Sequence, residues 1–120
     1  MVNLRIAVAT NGKDGLEDVV SNVFGRAKTF TIVDAEDEKI KGVTVVENPG
    51  VSYKHGAGPI VAKMLVDKDV DVVIAYVLGL GADELLKQHR IKHIAIKPNT
   101  NVEKATGEAL RIQKEGGDTG

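Results

Sequence analysis

The segment Asp71-Val72-Val73-Ile74-Ala75-Tyr76 is apolar on both of its alternating faces, and this constrains the fold more than any other feature of the chain. A strand without a polar face must be covered on both sides, as a central strand of a parallel sheet is. Its surroundings agree. Upstream, Pro59 to Asp67 carries Ile60, Val61, Met64 and Leu65 on one helical face. Downstream, Ala82, Leu85 and Leu86 mark a second amphipathic helix, and Ile91 to Ile96 a further strand. A last helix is expected behind Thr100-Asn101-Val102-Glu103, which has the form of a capping box, with Val102, Ala105, Ala109 and Ile112 on one stripe. Gly107 weakens that helix by about 1 kcal/mol relative to alanine.

The first half follows a different period. Arg5 to Ala9 is a short apolar strand that stops at Thr10-Asn11-Gly12. Residues 13–22 hold at most one helical turn. Thr29 to Val33 alternates, Asp34 to Glu38 reads as an acidic, solvated turn, and Ile40 to Val46 is another strand, so a hairpin is expected. The order is β-β-β-α-β-α-β-α. It predicts an α/β fold with a mixed five-stranded sheet and three main helices on its faces. The first strand is placed centrally, parallel to the third, fourth and fifth, with strand 2 antiparallel. One domain is expected over 1–113, followed by a disordered tail over 114–120.

Composition narrows the function. Aromatic content is 3% and the net charge is -1 with both signs dispersed, which argues against a nucleic-acid partner. There is no cysteine, so thiolate-held clusters and zinc knuckles are excluded. No apolar run reaches the roughly 20 residues of a membrane span, and the start MVNLRIAVAT lacks the features of a signal peptide. A cytoplasmic monomer is expected. His89 and His93 straddle the end of the second helix and share no face. No serine elbow, cysteine nucleophile or central carboxylate cluster supports catalysis.

In the expected sheet five loops reach one margin, the carboxyl edge where open α/β sheets bind ligands. They carry Asn11-Gly12, Phe24-Gly25-Arg26, Asn48-Pro49 with His55-Gly56-Ala57-Gly58, then Gly79-Leu80-Gly81, and Lys97. Glycines allow close backbone approach, and a helix start offers free N–H groups to an anion. His55 is the candidate metal ligand or hydrogen-bond donor, and Arg26 and Lys97 the counter-charges. The candidate binding set is His55, Gly56, Gly58, Gly25, Arg26, Asn11, Gly79 and Gly81. The same Gly-Ala-Gly-Pro run also suits a plain turn ahead of a helix, with Pro59 in its first turn.

Read in order, SNVFGRAKTFTIVD, ENPG, HGAGPIVAKML and VDVVIAYVLGLGADELL resemble the dinitrogenase iron–molybdenum cofactor-binding proteins, the NifX type and the C-terminal part of NifB. The similarity runs from Arg5 to about Ile112. It implies a ribonuclease H-like fold with strand order 3-2-1-4-5. It also implies a non-catalytic carrier of an anionic iron–sulfur or iron–molybdenum type cluster, held without covalent attachment, and cluster-donor or acceptor proteins as partners. Many members place Pro-His before Phe-Gly-Arg, where this chain has Asn22-Val23, so His55 is the one strong ligand candidate left at the edge. Two other readings stay open: a protein–protein interaction module, and an enzyme on phosphorylated metabolites with His55 as its base.

Overall fold

The computed structural model describes residues 3–52 and 57–116. Five strands form one sheet: β1 (Asn3–Thr10), β2 (Thr29–Glu36), β3 (Lys39–Glu47), β4 (Val72–Ile74) and β5 (Lys92–Ile94), in the order β3-β2-β1-β4-β5. β1 pairs antiparallel with β2 and parallel with β4, β2 antiparallel with β3, and β4 parallel with β5. The helices are α1 (Ala57–Asp67), α2 (Leu80–Gln88) and α3 (Val102–Gly116). Topology and strand directions are those expected from the sequence. α3 runs on to Gly116, past the boundary drawn at residue 113.

Alternation along the strands builds two cores. Ala7, Ala9, Phe30, Ile32, Val73 and Ala75 face α1 and α2. Ile6, Val8, Val33, Val72 and Ile74 face α3. The β3–α1–β4 and β4–α2–β5 crossovers advance in the same direction across the sheet. Sharing one hand, they must lie on one face, which leaves the other to α3. Ala7, Ala9 and Ala75 are completely buried. Their small side chains let two helices lie close on the first face. Phe24 and Phe30, the only two phenylalanines of the chain, meet there edge to face at 5.3 Å.

Two local expectations change. α3 is capped by Asn101 rather than Thr100: its Oδ1 accepts from the Lys104 N–H at 3.1 Å while its Nδ2 donates to the Leu16 carbonyl at 3.0 Å. The side chain thus joins the helix start to the loop after β1, a constraint no local motif contains. The acidic run is not one solvated turn either. Asp34 to Glu36 continue β2, and only Asp37 and Glu38 turn, both at positive φ. Asp34 Oδ1 accepts from Arg5 Nε at 2.7 Å, and Arg5 Nη1 donates to the Lys68 carbonyl at 2.7 Å. The hydrogen bond to Asp34, and after it the charge of Asp34, push the Arg5 pKa above its ordinary value. Arg5 so ties together the amino end of β1, the far end of β2 and the α1–β4 connection. An exposed pair of this kind contributes under about 1 kcal/mol.

Thr106 on α3 is fully buried, and its hydroxyl is without a hydrogen-bond partner. An unsatisfied buried hydroxyl costs about 1–3 kcal/mol, whereas valine has the same shape and no such cost. Thr106→Val is therefore expected to raise the unfolding free energy by about 1 kcal/mol, read as a higher urea midpoint at unchanged slope.

Candidate functional site

The carboxyl edge of the sheet is assembled around Phe24. Its side chain is completely buried among the residues under α1 and α2, and its N–H donates to the Val77 carbonyl at 3.2 Å. Val23 and Val77 form a parallel bridge just outside the sheet. With Phe24 anchored inward, Gly25 and the exposed Arg26 are presented at the edge.

Asn48 fixes this turn from the other side. It is buried, and its Nδ2 donates to the Ala27 carbonyl at 2.7 Å and the Gly25 carbonyl at 3.2 Å. Its Oδ1 accepts from the Gly50 N–H at 2.8 Å. One side chain therefore satisfies three backbone groups and couples the turn before β2 to the chain leading into α1. Gly50 must stay small, because a Cβ there would stand 2.7 Å from Val61 Cγ2.

The glycines then bring two helix starts together. A Cβ on Gly25 would lie 3.3 Å from the Gly58 nitrogen, one on Gly58 would lie 3.4 Å from Ala82 Cβ, and one on Gly81 would lie 3.0 Å from Pro59 Cγ. Gly25, Gly58 and Gly81 thus form one contact chain through the amino ends of α1 and α2. Gly79 is different. It stands at the N-cap of α2 in extended conformation, offers no side-chain cap, and a Cβ there would meet none of the described residues within 4 Å. Both helix starts carry partial positive charge. Asp83, in the first turn of α2, is paired with Lys87 at 3.2 Å.

Asn11 is exposed at the carboxyl end of β1, in a turn held by its neighbours. Thr29 Oγ1 donates to the Gly12 carbonyl and meets Thr10 Oγ1 at 2.6 Å. The buried Asp18 accepts from the Val19 N–H at 2.8 Å and the Asp14 N–H at 3.2 Å. Lys97 is exposed, in a turn joined to the segment after β1 by the Asn99 N–H donating to the Val20 carbonyl at 2.9 Å. His55 and Gly56 lie outside the described residues. Among the described residues, no group of three or more His, Cys, Asp or Glu side chains is placed to hold a metal ion.

Sequence reasoning missed two features of this edge. Asp18 sits in a polar stretch whose signal, an aspartate among turn residues, does not reveal burial. Tyr76 reads as part of a strand covered on both faces, yet it is 48% exposed, and Val23 and Val77 near it are 45% and 49% exposed. β4 ends at Ile74 and Ala75 is still completely buried, so the chain leaves the cover of the helices only at Tyr76.

Residues 3–111 match the sequence family described as dinitrogenase iron-molybdenum cofactor. The chain belongs to this family. An uncharacterised protein of Methanocaldococcus jannaschii is 30% identical over 93 residues, which cover 78% of this chain and 75% of that one. The apo form of the orange protein from Desulfovibrio gigas superposes with a TM-score of 0.82 at 31% identity, over 91% of this chain and 88% of that one. A putative NifB protein from Thermotoga gives a TM-score of 0.70 at 38% identity, over 94% and 89%. This member of the dinitrogenase iron–molybdenum cofactor family has no helix among its described residues long and apolar enough to cross a membrane.

Asn48→Ala should leave two carbonyls and the Gly50 N–H without their partner. The expected loss is about 2–3 kcal/mol of stability. Amide exchange at Gly50 should accelerate far more than exchange at the centre of β1.

Proposed function

We propose that this protein is a non-catalytic binding or carrier protein that holds a preassembled anionic metallocluster, or a precursor of one, at its glycine-rich edge. The observation that carries this reading is the convergence of the amino ends of α1 and α2 through Gly25, Gly58 and Gly81. Free N–H groups at helix starts, in a place where backbone can be approached closely, suit an anion. Among the described residues nothing crowds Gly79, which leaves room for it. Arg26 supplies counter-charge and His55 a ligand or hydrogen bond. The described residues furnish backbone amides and cations rather than a set of metal-ligating side chains, so the cargo arrives with its own coordination nearly complete. The family description and the names of the similar proteins, a putative NifB protein and the apo orange protein, support a cofactor-related role. Proteins that donate or receive the cluster are the partners this role requires.

A second reading has its own observation. Val23, Tyr76 and Val77 expose apolar surface at this same edge, which suits an interaction module that docks a protein and carries no cofactor. The two separate on isolation. Protein purified anaerobically from its host should show charge-transfer absorption and bound metal if it carries a cluster. A colourless, metal-free protein that co-purifies with a partner supports the module.

In an anaerobic titration with isolated iron–molybdenum cofactor, His55→Ala should abolish binding while circular dichroism stays unchanged. Arg26→Ala should weaken it about tenfold, the equivalent of roughly 1.4 kcal/mol, and flatten its salt dependence. Unchanged affinity in His55→Ala would remove that side chain from the site.

A further inference from the structure

β3 is the outermost strand on its side of the sheet and spans Lys39–Glu47. The phase of its pairing decides which backbone groups it offers to solvent. The Asn48 N–H donates to the Lys28 carbonyl, which extends the β2–β3 ladder by one pair. Hydrogen-bonded pairs alternate in an antiparallel ladder. Phe30 with Val46, Ile32 with Thr44 and Asp34 with Gly42 are therefore the bonded pairs. Val43, Val45 and Glu47 turn their N–H and C=O groups outward, where no described backbone group pairs with them.

These three side chains share the α3 face of the sheet, opposite Val33, Thr31 and Thr29. The register shifts at Asp34/Ala35, so Lys41 is the extra residue of a bulge. Ile40, opposite Ala35, packs on the α3 face as Val43 does, so the exposed Lys41 stands in the bulge between two residues of that face. Val43 is 39% exposed, and the Glu47 side chain is 79% exposed.

We propose that β3 pairs antiparallel with β3 of a second copy of this chain, about a two-fold axis at Thr44. In that register Val43 lies opposite Val45 of the second copy, and Val45 opposite its Val43. Both residues have outward backbone groups, so the four valines form the bonded centre of the interface. Each Lys41 lies opposite Glu47 of the other copy. The positive end of one strand meets the negative end of the other.

Lysines on an edge strand ordinarily discourage association. Here they select the partner's direction: parallel pairing would set Lys41 beside Lys41, and the antiparallel register neutralises it. The exposed contact of Glu47 with Lys13, at 3.2 Å, is weak enough to yield. The interface lies at the β3 margin and is independent of the cluster reading.

The test is sedimentation equilibrium of the full chain, with amide exchange as a second readout. The expected result is a species of twice the 12.8 kDa chain mass that grows with concentration. Glu47→Lys and Lys41→Glu should each weaken dimerisation at least about tenfold, roughly 1.4 kcal/mol. The double variant, which restores opposite charges in the same register, should recover it. Amides of Val43, Val45 and Glu47 should gain protection as concentration rises. A 12.8 kDa species at every concentration up to about 1 mM would overturn the proposal. So would a dimer indifferent to both single reversals, or outward amides whose exchange ignores concentration.

Discussion

The structure depends on covering β1 and β4 from both sides. Ile6, Ala7, Val8, Ala9 and Val72 to Ala75 are all completely buried. Strands without a polar face cannot stand at a surface, so helices must be supplied to both faces. The chirality of the crossovers assigns α1 and α2 to one face, and α3 closes the other. The first face has to receive two helices plus the Phe24–Phe30 pair, and the sheet answers with alanine at positions 7, 9 and 75.

That arrangement gives the two margins of the sheet opposite characters. At the amino margin, Arg5 is already engaged by Asp34 and the Lys68 carbonyl, and its N–H is taken by Asp71 Oδ2 at 2.8 Å. The groove there, about 390 Å³, is lined by acidic residues as well as Arg5 and Lys41. At the carboxyl margin the helix starts are drawn together, and side-chain bulk is withheld at Gly25, Gly58 and Gly81. The carboxyl margin is the one where α1 and α2 begin, as the parallel topology requires.

The glycines of this margin do unequal work. Gly50, Gly81 and Gly25 are needed for packing, since a methyl group there would stand 2.7, 3.0 and 3.3 Å from a neighbour, whereas one at Gly58 would make an ordinary contact at 3.4 Å. Gly79 has open space and needs another explanation. This distinction bears on the two meanings left open for the Gly-Ala-Gly-Pro run. The Gly58 backbone lies against Gly25, so it belongs both to the packing at the start of α1 and to the paired helix starts on which the binding reading rests.

The sequence by itself determined the element order, the two-faced burial of Val72 to Ala75 and the strand directions, because hydrophobic period and turn chemistry are local properties. The family motifs added the strand order. The expected topology also brought the loops of Asn11, Gly25, Asn48, Gly79 and Lys97 to one edge, while His55 and Gly56 lie outside the described residues. It did not give the linkages between distant segments: Asn101 joined to Leu16, Asn48 to Gly25 and Ala27, Arg5 to Asp34, and the burial of Asp18. Nor did it show that Val23, Tyr76 and Val77 stand exposed. A side chain's burial and hydrogen-bond partners are set by residues far away in the chain, and only the packed sheet and helices decide which of those come within reach.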